Sequence, residues 1–225
     1  MQSEEPRRTL YLRFVVIVGL VWAFTEVAFG SLVSAGCPRG MTGSVLTGTA
    51  LLFLSTAYYA GKMRWMLVLP LLLAMGSKTA GAVALGRPVL SGAVANPCYA
   101  YVMELVALVA LLTLANPRKM SRLPYAALVG GVAGLLAANL FVPVGFVTGI
   151  PACIHEPTGM PLAIHYAPIA VVLSAVTVPL GRALGLRARA WMTQEAPKLT
   201  AAGKLLDAAT AFALVALVVA QVTFL

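Results

Sequence analysis

Three charged side chains stand inside long apolar stretches of this sequence: Glu26, Lys78 and Glu104. A charge within hydrocarbon costs several kcal/mol and normally faces a cavity or a partner. Counted along helices, each lies about six to eight residues from the same end of the bundle, roughly 9–12 Å deep at about 1.5 Å per residue. Asn139 reaches a similar depth on a fourth helix. The equal depth predicts one polar layer. Two readings of it are open. A Glu–Lys pair locks helices together, without necessarily adding net stability. Alternatively, two carboxylates and one ammonium leave an acceptor-rich site for a cation, a proton or a zwitterionic solute.

A second group is built from Cys37, Cys98, Cys153 and His155, with Glu156 and His165 close by in sequence. No C-x-x-C spacing marks a zinc site. All three cysteines fall at the same ends of predicted helices. If that face is oxidising, a disulfide between two of them is the simple reading. A metal ion at the outer face, held by thiolates and imidazole, is the sharper one. Unrelated buried thiols are the third.

These residues need a scaffold, and composition defines it. The 225 residues are 60% hydrophobic and 10% charged, against about 25% charged in soluble domains. The fold expected is an all-α integral membrane protein, a single transmembrane domain over residues 1–225. Seven stretches approach the roughly 20 apolar residues of a spanning helix: 11–34, 43–60, 65–85, 98–115, 124–146, 164–181 and 205–225. Nothing alternates with the period of a barrel strand. Breakers separate the stretches, as at Pro38-Arg39-Gly40, Arg87-Pro88 and Asn116-Pro117-Arg118.

Sixteen Lys and Arg against seven Asp and Glu would also suit a nucleic-acid surface, but the placement argues for topology. Arg7, Arg8 and Arg13, Lys62 and Arg64, Arg118, Lys119 and Arg122, and Arg182, Arg187, Arg189, Lys198 and Lys204 occupy alternate connections; the others hold only Arg39 and Arg87. The cation-rich side faces the cytoplasm in cell (inner) membranes. That places the N-terminus inside and, after seven spans, the C-terminus outside. The partners expected are the lipid bilayer and other membrane subunits, with no nucleic acid. Residues 181–204, with Trp191, suit either a surface helix or a basic loop. Glu26 and Ser34 argue that the first span is retained rather than cleaved as a lipoprotein signal.

Three local features bear on a site. Asn96-Pro97 is placed to open the fourth span with free N–H groups toward the outer mouth. Pro143 and Gly145 interrupt the fifth, and the loop holding Pro151, Pro157 and Pro161 could lie over that mouth as a lid. "CPRGMTGSVL" (37–46) and "CIHEPTGMPL" (153–162) agree at Cys, Thr-Gly and Leu in one register, which raises a parallel internal repeat of the kind used in transport folds. No H-E-x-x-H, G-x-S-x-G or phosphate loop is present, and Gly130-Gly131 with Gly134 reads as close helix packing.

The first span with Glu26 and Gly30, the span with Lys78, and "NPCYAYVME" (96–104) resemble small multi-span membrane proteins. More loosely, they resemble substrate-capture subunits of energy-coupling-factor transporters. That resemblance implies about six helices, an outward-facing site for a vitamin or metal, and docking through small-residue helix faces onto a coupling subunit and its ATPases. "AALVGGVAGLLAA" (126–138) offers such a face. The seventh span departs from the family, as does the lack of an N-terminal Met-His pair.

The function expected is capture of a small solute or cation from the outer side for transport. The alternative is a structural or redox anchor in a respiratory-type complex, and an intramembrane enzyme is the third reading. Reporter fusions after Asn116 and Leu225 should report inside and outside respectively; an inside C-terminus would refute the seven-span count.

Overall fold

A computed structural model describes residues 4–36, 41–84, 86–193 and 196–224. The chain is an all-α, multi-pass helical bundle. Its helices are α1 (Glu4–Gly36), α2 (Met41–Gly61), α3 (Val68–Ala84, after a 3-10 turn at Arg64–Leu67), α4 (Gly92–Leu114) and α5 (Leu123–Phe141). The short α6 (Val144–Thr148) leads to a hairpin, β1 (Ile154–His155) and β2 (Met160–Pro161). There follow α7 (Leu162–His165), α8 (Ala167–Met192) and α9 (Ala196–Phe224).

Among the described residues, six helical segments are long and apolar enough to cross a membrane, within α1, α4, α5, α8 and α9 and across the turn into α3. The remaining long helix, α2, matches them with 21 residues. Its Ser, Thr, Gly and Tyr content lowers its hydropathy. Burial explains that composition, because Ser44, Gly48, Leu51, Leu54, Ser55 and Thr56 all lie inside the bundle. The lipid-facing surface carries Leu72, Leu128, Val172 and Val215 instead.

The most extensive helix contact joins α2 to α8, followed by α5 to α8. Small residues allow both. A Cβ at Gly181 would overlap Ser55 Oγ, and one at Gly185 would meet the Thr56 carbonyl. Gly48 in turn faces Leu173. These pairs advance together, so α2 and α8 run parallel. Gly130 and Gly134 meet Ser174 and Ala170, so α5 runs antiparallel to α8. The glycine face of residues 126–138 is thus consumed within the bundle. What α5 presents outward is Leu128, Leu135 and Leu136, so the small-residue docking face expected from the resemblance is not free.

Helix α9 lies along α1. Arg13 Nη1 reaches Asp207 Oδ2 at 3.0 Å, Leu10 and Leu206 share one cluster, and Ala23 and Val27 share another with Leu217 and Ala220. The two helices therefore run parallel, which puts Glu4 and Phe224 at opposite ends of the bundle. Both partners of the ion pair are well exposed, so its contribution is small.

Three expectations change. The fourth span starts at Gly92, with Pro97 inside the helix, and the Ser91 carbonyl accepts from Val94 and Ala95 N–H. The first-turn donors are thus partly taken. Residues 181–192 continue α8 rather than forming a separate surface helix, because Gly181 and Gly185 pack on α2 and the Arg182 guanidinium lies 5.7 Å from the Tyr59 ring centre. The matched segments also fold differently: Gly43 is in the first turn of α2, while Gly159 takes φ +66° in the hairpin turn.

Gly181→Leu should lower the thermal midpoint of the purified protein, since overpacking a close contact costs about 1–3 kcal/mol. Gly76→Ala, where nothing lies within 4 Å of the added carbon, should leave it unchanged. Equal midpoints would contradict the α2–α8 packing.

Candidate functional site

Glu26 and Glu104 are both buried, but their surroundings differ. On α1, Glu26 is 1% exposed. Trp22, one helical turn before it, donates from Nε1 to Oε1 at 3.2 Å. Tyr101 on α4 donates its hydroxyl to Oε2 at 2.6 Å. The Trp22 and Tyr101 rings meet edge to face at 5.3 Å, which fixes both donors. Each Glu26 oxygen therefore has a partner.

Glu104 follows Tyr101 by three residues on the same face of α4. It is 3% exposed. Thr47 of α2 stands beside its carboxylate, while Oε2 is buried with no hydrogen-bond partner. A buried acceptor without a donor costs about 1–3 kcal/mol, more for a charged group. The two carboxylates are near enough for their charges to interact.

Glu104 lines a cavity of about 280 Å³. Ser44 and Thr47 of α2, Asn96, Tyr101 and Glu104 of α4, and Phe141 of α5 contribute to the lining. Cys153 and Leu162, at the two flanks of the hairpin, complete it. Glu104 is deep; Cys153 and Gly43 are exposed at the other end. The cavity therefore reaches the surface at the end of the bundle opposite the basic connections.

The mouth is built by specific bonds. Tyr99 donates to the Leu140 carbonyl at 3.0 Å, joining α4 to α5. Thr148 of α6 donates to Asn96 Oδ1 at 3.2 Å, and Ser44 to the Tyr166 carbonyl at 2.9 Å. The proline-rich loop folds into the hairpin, with Ile154 opposite Pro161 and His155 opposite Met160. Leu162 N–H closes it onto the Cys153 carbonyl at 2.8 Å. The His155 and His165 rings stack at 3.8 Å, with Tyr166 edge-on to His165. The two matched sequence segments meet here, since Gly43, Leu46, Cys153 and Leu162 all line the cavity.

The polar layer is thus resolved residue by residue. Glu104 lines the cavity. Glu26 lies behind it, linked through Tyr101. Lys78 is half-buried on α3, within electrostatic reach of Glu26 and Cys98, and among the described residues no ion pair joins it to a carboxylate. Asn139 is exposed and donates to Leu135 O of its own helix at 2.8 Å, so it does not join the group. Equal depth cannot distinguish faces, and α5 turns Asn139 away.

Cys98 is half-buried, Cys153 exposed, and both are free thiols; Cys37 lies outside the described residues. A disulfide between Cys98 and Cys153 is therefore absent. Among the described residues no three His, Cys, Asp or Glu side chains gather as a metal site; His155 Nδ1 is instead 3.0 Å from Thr158 Oγ1. Residue type missed Tyr101, Thr47 and Trp22 as site members. The i, i+3 spacing of Tyr101 to Glu104 and the i, i+4 spacing of Trp22 to Glu26 were the signals that could have found two of them.

Tyr101→Phe removes a donor to Glu26 and should destabilise by about 1–3 kcal/mol, whereas Tyr99→Phe, at a half-buried backbone contact, should cost about 1 kcal/mol. Chemical denaturation in one detergent, with equal losses for the two, would refute this ranking. No family model, curated protein or solved structure matches the chain.

Proposed function

We propose that the chain is a membrane subunit that captures a small solute or cation from the outer side for transport, in the cavity that ends at Glu104. One observation carries this reading: Glu104, which has a carboxylate oxygen buried without a donor, lines a cavity open at one end. A purely structural carboxylate is expected to resemble Glu26, with both oxygens satisfied. An acceptor kept free at the closed end of a cavity is the arrangement of a ligand contact.

The basic connections support the orientation. With them in the cytoplasm, the cavity mouth, the hairpin and Cys153 face outward. The membrane-crossing helices give the lipid contact, and the leucine-covered back of α5 is a surface for either lipid or another subunit.

The test is access. In intact cells, Ala138→Cys, in the cavity wall, should react with a membrane-impermeant thiol reagent added outside, in a background with the native cysteines replaced by Ser. Leu128→Cys, on the lipid-facing side, should not. Reaction of Ala138→Cys only after the cytoplasmic face is opened would sink the reading.

A further inference from the structure

We infer that the ligand of this cavity is a small monocationic amine with an apolar body, its ammonium group on Glu104 and its body against the apolar wall. The inference rests on the capture reading above and names the chemical class it leaves open.

Charge argues first. Glu104 lines the cavity and Glu26 lies behind Tyr101, while no Lys, Arg or His among the described residues lines the wall. The nearby cation, Lys78, acts on Glu26 from outside the cavity. An incoming group at the closed end therefore meets carboxyl oxygens and no cation. An ammonium has three donors and no acceptor, so it offers the Glu104 carboxyl a donor and, as a nearby cation, favours its ionised form.

The same wall argues against other occupants. A zwitterion needs a cation or free N–H groups for its carboxylate; the wall holds no cation among the described residues, and of the first-turn donors of α4 those of Val94 and Ala95 are taken by the Ser91 carbonyl. Calcium takes about six to eight oxygen ligands and zinc about four side-chain ligands, and no cluster of three His, Cys, Asp or Glu exists among the described residues. Between Glu104 and the mouth stand Leu46, Ala100, Ala137, Phe141, Ala163 and Ala170, which match a hydrocarbon or aromatic body. The size sets the limit. The volume of about 280 Å³ equals roughly nine waters at about 30 Å³ each, and falls just under the pockets of about 300–1,000 Å³ that hold drug-sized ligands.

Three probes with one aromatic body separate the classes: 2-phenylethylammonium, 2-phenylethanol and phenylalanine. Each is titrated for its ability to protect Ala138→Cys, in purified full-length protein, from thiol modification. The ammonium should protect at a concentration at least tenfold below those of the alcohol and the amino acid. Glu104→Gln should abolish that tenfold preference, while Gly76→Ala should preserve it. The probe comparison needs no change at Glu104, so it decides even where Glu104→Gln fails to fold. Equal protection by the alcohol would overturn the amine assignment and leave the outward cavity intact. So would the absence of protection by any probe while Ala138→Cys still reacts from outside. An Ala138→Cys that cannot be labelled from outside takes down the capture reading itself.

Discussion

The close approach of α8 to α2 and α5 is the contact on which the other positions depend. Lipid tails are as apolar as leucine, so helices in a bilayer gain little from hiding apolar surface and associate by packing and hydrogen bonding. Here glycine supplies the packing. Gly48 on α2, Gly181 and Gly185 on α8, and Gly130 and Gly134 on α5 remove side chains where two backbones meet. The result is a three-helix centre with α2 and α8 parallel and α5 antiparallel to α8. Thr47 of α2 and Ala137 of α5 are held on it, and α4 packs across it to bring Glu104 to Thr47.

Within that frame the two buried carboxylates have different fates. Glu26 receives one donor from its own helix and one from α4, and ring packing between Trp22 and Tyr101 holds both. Glu104 has Thr47 beside it and keeps one oxygen unpartnered. Tyr101 couples the two sites, since its hydroxyl is committed to Glu26 while its side chain also lines the cavity beside Glu104. A group entering at Glu104 therefore changes the field at Glu26 without touching it.

Much of the scaffold was legible because bilayer thickness and charge cost are crude constraints that sequence must obey. The spans and the glycine packing at 130–134 follow from them; Glu26, Lys78 and Glu104 lie ten, six and twelve residues from the helix ends at Gly36, Ala84 and Gly92. Rotation about each helix axis is not so constrained. Asn139, two residues before the end of α5, is exposed and satisfies its own amide on Leu135. Lys78 reaches Glu26 only through space. The boundary of α4 was misjudged because Asn96-Pro97 resembles a helix start, whereas Ser91 caps the chain five residues earlier. The thiols were grouped by level, and level alone does not bring Cys98 and Cys153 together.

The cavity itself follows from an interruption. α5 ends at Phe141, and Pro143 caps the short α6, so a full helical wall is missing at this end of the bundle. The chain fills part of the gap with α6 and the hairpin, whose backbone groups bond among themselves and to Thr148. Irregular backbone at this depth is tolerated where protein or water receives it. Extending α5 by two turns would close the space between α2 and α4 and bury Glu104 against apolar side chains with its oxygen still unmet. The proline break and the unpartnered carboxylate are therefore parts of one arrangement: the break supplies the opening, and the opening is what makes a carboxylate with one unmet oxygen midway along α4 tolerable.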